Sequence, residues 1–123
     1  MRGVGAVLML IALPACAPDV TELQRQPSPD GRVECVQAVR EVDATVATPT
    51  EFYLLPKGRP VHGDPVFRAD KVENISCAWN GNSELLVHAA EARVFVHQVR
   101  VTVETPGVGP RTIQVRLDIA KQL

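Results

Sequence analysis

Ile75-Ser-Cys-Ala-Trp-Asn-Gly-Asn-Ser-Glu-Leu-Leu-Val87 reads as a strand, a tight polar turn and a returning strand. Ile75, Cys77 and Trp79 share a face because side chains alternate along extended backbone. Asn80-Gly81 is the dipeptide best suited to the positive φ angles of a hairpin turn. Upstream, Ser28-Pro-Asp-Gly31 has proline where a type I turn wants a preset φ and glycine at its end. The strand that follows, Arg32 to Arg40, carries Val33, Cys35 and Val39 on one face and Val36 and Ala38 on the other. Apolar residues on both faces predict a covered, central position. A Cys35–Cys77 bond would tie this strand to the hairpin, with Trp79 as a core anchor packed against it.

Working outward, Glu51-Phe-Tyr-Leu-Leu55 reads as a strand ending at Pro56, with a turn at Lys57-Gly-Arg-Pro60. His62-Gly-Asp-Pro65 is a loop signal, and Val66-Phe-Arg-Ala69 a short strand. Ala89 to Arg93 has some helical propensity but is too short to persist as a helix, so a loop or single turn is expected. Val94 to Glu104 reads as one long strand. Arg111 to Ile119 alternates in the same way, and the two form a hairpin around Thr105 to Pro110. Pairing Val99, Val101 and Val103 with Ile119, Leu117 and Val115 would set Arg100 opposite Asp118 and Thr102 opposite Arg116. A two-residue slip would oppose Arg100 and Arg116, which is unfavourable by about 0.2–1 kcal/mol. These patterns predict an all-β chain: a single small antiparallel domain of about seven strands over residues 28–123, either a sandwich or a twisted, curled sheet.

The first fifteen residues follow different rules. Arg2 supplies a positive charge, Ala6 to Leu13 an apolar run too short for a stable membrane span, and Leu13-Pro-Ala-Cys16 follows directly. This resembles the lipobox of bacterial lipoproteins. The resemblance implies that residues 1–15 are a signal peptide and that Cys16 is the lipidation site and mature N-terminus. Pro14 departs from the usual residue there, and the alternative is an ordinary secretory cut near Ala15 or Ala17. By the sorting rule of Gram-negative lipoproteins, Ala17 in place of Asp favours the periplasmic face of the outer membrane over the inner membrane. Residues 16–27 are polar, contain two prolines and read as a tether, and the stretch of about 15 residues from Cys16 to the first strand could reach roughly 50 Å when extended.

Export has a consequence for the other two cysteines. Cys35 and Cys77 make an even pair in an oxidising compartment, which reads as one disulfide; two free buried thiols are the alternative. Removing residues 1–15 also removes Arg2, so the formal net charge of −1 becomes more negative. That balance, with scattered arginines, argues against nucleic-acid binding.

Ser28-Pro-Asp-Gly31, the strand 52–58 ending in Pro-Lys-Gly, Val66-Phe-Arg-Ala-Asp70, Trp79-Asn80 and Ala92-Arg-Val-Phe95 form an ordered series that resembles short bacterial envelope lipoproteins of unknown function. The resemblance implies a similar fold and brings no catalytic residue. A likeness to β-propeller blades covers too little chain to close a propeller.

Few residues suggest chemistry. His62, Asp64, His88 and His97 are weak metal candidates, with His88 and His97 meeting only if they lie across antiparallel strands. Ser76 and Ser83 lack a nucleophile motif, and Asp70, Glu73 and Glu84 read as solvated turn or strand-end acids. No catalytic residue and no cofactor is expected. The expected role is a lipid-anchored interaction or structural module with an envelope-protein partner. An inhibitor of an exported hydrolase, of the lysozyme-inhibitor kind, and a metal or small-ligand carrier are the alternatives.

Overall fold

The computed structural model describes residues 20–41 and 48–123. Its eight strands are β1 (Val20–Pro27), β2 (Val33–Arg40), β3 (Thr50–Pro56), β4 (Phe67–Glu73), β5 (Ser76–Trp79), β6 (Glu84–His97), β7 (Arg100–Thr105) and β8 (Gly109–Gln122). They form one sheet in the order β1-β2-β3-β4-β6-β8-β7, with β5 paired to β6. The all-β expectation therefore holds, in the curled-sheet form. Most pairings are antiparallel as expected, but β6 and β8 run parallel, from Glu84↔Gln114 to Ala92↔Gln122.

The curl is carried by β6. Leu85 pairs with Val115, and His97 at the other end of the strand places Nε2 2.8 Å from the Val115 carbonyl oxygen. A straight strand of 14 residues would span about 45 Å, so both ends can meet at Val115 only if β6 doubles back around the core. The inward alternation of β6 breaks between Ala89 and Ala92, which both face the core while Ala90 is exposed, and the small side chains of Ala89 and Ala92 crowd least on the inner curve. This corrects the expected loop at 89–93: the alanines are the corner of a continuous strand. Register shifts opposite it, between Asp70 and Glu73 and at Arg68/Ala69, absorb the curvature. Lys71 and Asn74, both at positive φ, lie in and beside the irregular stretch. β4 and β5 run along one side of β6, and the hairpin of 75–87 turns at Asn80 to Ser83 as predicted, with Gly81 at φ 78°.

Inside the curl, Val33, Cys35, Phe52, Leu54, Phe67, Leu85, Val87, Ile113 and Val115 form the main core. The Cys35 and Cys77 sulfurs lie at disulfide distance, joining β2 to β5 across it. β2 and β3 are covered on their outer face too, where Val36, Ala38, Tyr53 and Leu55 make a smaller cluster with Val20 and Val61 against it.

Three further expectations need correction. β1 occupies Val20–Pro27, most of the supposed tether. Its side chains are mainly exposed, and it is held by main-chain pairing to β2, a contribution that hydrophobic periodicity does not register. The long strand expected over 94–104 is broken at Gln98 and Val99, whose neighbours β6 and β7 are separated by β8.

The β7–β8 register also differs from expectation, with Arg100 opposite Gln114 and Thr102 opposite Thr112. The shift is four residues, so inward and outward faces are conserved, but Val99 ends exposed. The turn decides the register: Thr105-Pro-Gly-Val108 closes with Val108 N–H on the Thr105 carbonyl at 3.0 Å and Gly107 at φ 78°, a short loop that outweighs weak charge pairing. Pro110 is tolerated because it stands opposite Glu104, in the alternate pair that exchanges no hydrogen bonds.

Candidate functional site

The curled sheet meets itself along one open seam. β3 pairs with β4 only over Thr50 to Phe52, so Tyr53 to Pro56 continues without a neighbour on that side. Above the seam, main-chain bonds from Val66 to Phe52 and from Gln98 to Val66, each 2.8 Å, tie the two sides together. At its other end Arg32 Nη1 reaches the Pro106 carbonyl at 2.8 Å. Between these ties lies a cleft of about 490 Å³ lined by Leu54, Leu55, Val101, Val103 and Thr105, with Arg59 and His62 at the rim.

Ladder alternation fixes which main-chain groups face this cleft. Lys57 N–H bonds the Arg32 carbonyl and Arg40 N–H bonds the Pro49 carbonyl. The residues between them alternate, so Tyr53 and Leu55 bond to β2 while Leu54 points its N–H and C=O away from it. On the other wall, Val115 N–H bonds the Val99 carbonyl at 2.9 Å, so Val101 and Val103 bond to β8 while Thr102 and Glu104 present theirs outward. Among the described residues the main-chain groups of Leu54, Thr102 and Glu104 have no partner across the cleft. Two unpaired strand edges above an apolar floor are the geometry that accepts an added extended segment.

A second constellation lies on the outer face of β2, β3 and β4. Glu51 is fully buried, and its Oε2 accepts from Arg40 Nε at 2.8 Å and Arg68 Nε at 2.6 Å. Its Oε1 accepts from the Tyr53 hydroxyl at 2.6 Å. Burial pushes the carboxyl up, but the bonds from Arg40, Tyr53 and Arg68 outweigh it and hold Glu51 below the usual glutamate value. Burial, together with the neighbouring Glu51 carboxylate, pushes the Tyr53 phenol up to about 12. Farther along β4, Asp70 takes Arg93 Nε at 2.8 Å and Nη2 at 2.6 Å, and that bonding holds its carboxyl below the ordinary range. The Arg93 guanidinium also sits 5.0 Å over the ring of Phe95.

The residues singled out by sequence fall elsewhere. His62 places Nδ1 2.9 Å from the Pro60 carbonyl, and Asp64 is exposed in the same loop. His88 faces Asp118 at 2.9 Å, while His97 reaches Val115 on the inner side. His88 and His97 occupy one strand, not facing strands, so the juxtaposition they would need is not made. Among the described residues no three potential ligands gather into a metal site. Trp79 is half-buried at the edge of the core, and its indole N–H donates to the Gln26 carbonyl at 2.8 Å, fastening β1. It is a rim clamp more than an interior anchor. Cys16 lies outside the described residues.

Sequence reading passed over Glu51. The available signal was an acid at the head of a strand otherwise apolar on both faces, which local pattern reads as a solvated strand end. The cleft left no local signal, because it arises where β3 outlasts β4. No family model, curated protein or solved structure matches the chain.

Proposed function

We propose that this chain is a cell-envelope protein anchored by lipid on Cys16, and that its β domain is a protein-interaction module receiving an extended segment of a partner in the β3/β7 cleft. The observation that carries this reading is the pair of unsatisfied strand edges, Leu54 on one wall and Thr102 and Glu104 on the other, above an apolar floor. An extended segment laid along the mouth of the cleft offers main-chain donors and acceptors to those groups. The lipobox-like Leu13-Pro-Ala-Cys16 and the resemblance of the motif series to envelope lipoproteins support the location. Two acyl chains on Cys16 would make attachment effectively permanent.

The test is site-specific photo-crosslinking in intact bacterial cells. A probe at Arg59, on the cleft rim, gives a discrete adduct, and a probe at Lys121, on the exposed end of β8, does not. Thr102→Pro removes an outward N–H without touching the β7–β8 ladder and abolishes the adduct. An adduct that survives Thr102→Pro, or forms equally from Lys121, refutes the cleft. The anchor is tested separately, by partition of the mature protein into detergent and its release by Cys16→Ser.

A further inference from the structure

Among the described residues, the outer face of β2–β4 carries a local charge left unbalanced. Arg40 and Arg68 both direct Nε at a single oxygen of Glu51, so their guanidiniums stand within two hydrogen-bond lengths of each other. One buried carboxylate neutralises one of the two charges. Its other oxygen is occupied by the Tyr53 hydroxyl. The next acid along β4, Asp70, commits both oxygens to Arg93. Two like charges this close repel strongly wherever water is partly excluded.

The orientation is as informative as the charge. Each guanidinium is held by its Nε edge on a rigid, fully buried anchor, while about a third of each arginine side chain remains open to solvent, 32% for Arg40 and 33% for Arg68. Arg40 Nη2 makes only a long contact, 3.3 Å, to the Tyr53 hydroxyl. The Nη groups of Arg68 have no acceptor among the described residues. Guanidinium donors form a planar fork that matches the oxygens of a carboxylate or phosphate, and fixing the Nε edge in advance lowers the ordering cost of binding.

We propose that Arg40 and Arg68, set side by side on Glu51, form a binding site for a small oxyanion, a phosphate or carboxylate group, held by their outward Nη donors. Glu51 and Tyr53 are positioning residues that do not touch the ligand. The site lies on the outer face of the sheet and does not depend on the β3/β7 cleft.

The experiment follows the arginine Nε–H resonances of the full chain in neutral detergent at pH 7, titrated with inorganic phosphate or with acetate against chloride of equal ionic strength. The expected result is a saturable shift at Arg40 and Arg68 with at least one of the two anions. Saturation with phosphate alone assigns a phosphoryl ligand, and with acetate alone a carboxylate. Arg68→Gln weakens binding about tenfold or more, as loss of a charge-assisted contact should. Arg100→Gln, which removes an exposed charge elsewhere, leaves it unchanged. Absence of saturable shifts with both anions overturns the proposal, as does binding that Arg68→Gln leaves intact. Should Arg68→Gln fail to fold, Arg40→Lys replaces it: the charge stays, the fork is lost, and binding must still fall.

Discussion

The curled sheet has two places where distant strands meet, and they are finished in opposite ways. Where β2 meets β5, Cys35 and Cys77 stand at disulfide distance and Trp79 clamps the edge strand β1 through Gln26. Where β3 meets β7, no ladder forms, and main-chain donors and acceptors face a cleft. One seam is closed by groups that need no partner from outside, and the other leaves main-chain groups to be met by something. A fold of this size gains more from locking the first seam, and that lock lets the second stay open without unravelling the sheet.

The largest effect expected is at the closed seam. Removing the link by Cys35→Ala with Cys77→Ala opens a loop spanning 42 residues in sequence and should cost about 4 kcal/mol in a urea melt on the chain-entropy estimate. A loss under about 1 kcal/mol would mean that packing closes this seam unaided.

Next comes Glu51, which holds β3, one wall of the cleft, to β2 and β4 from behind. Glu51→Leu should cost about 2–3 kcal/mol, less than a fully interior pair because both arginines can turn to water. The pH dependence is specific. Because the folded pKa of Glu51 is depressed, its stabilisation is present above the ordinary glutamate value of 4.5 and is lost as pH falls through the lower folded value. Tyr53 acts in the opposite range: its raised pKa gives stabilisation that is complete below 10 and lost as pH rises toward about 12. Chemical melts of Tyr53→Phe across pH 9 to 12 should lack that alkaline decline; an unchanged decline would assign it to another group.

Trp79→Phe keeps most of the rim packing and removes the indole bond to Gln26, for about 1 kcal/mol. Faster amide exchange in β1 than in β3 would place that loss at the clamp, and uniform acceleration would deny the clamp a local role. The smallest stability effect is expected from Thr102→Pro, within about 0.5 kcal/mol, since the amide it removes bonds nothing in the sheet. The asymmetry between the seams predicts this neutrality together with loss of partner capture. A cost well above 1 kcal/mol would show that the β7 edge is already satisfied.

The sequence by itself determined the all-β class, the hairpin around Asn80-Gly81, the turn at Ser28 to Gly31, the covered position of β2 and the pairing of Cys35 with Cys77. Each follows from alternation, turn chemistry or cysteine parity, which act over a few residues or on composition. Tertiary structure alone decided the rest. That Ala89 to Ala92 bends a strand instead of ending it depends on β4 and β8 lying on either side. That Glu51 is buried depends on Arg40 and Arg68, 11 and 17 residues away, converging on one of its oxygens. That a cleft exists depends on β3 running past the end of β4, a difference in pairing length. Local pattern sets which face of a strand is apolar, but the neighbours on each edge, and where they stop, are set by how the whole sheet curls around its core.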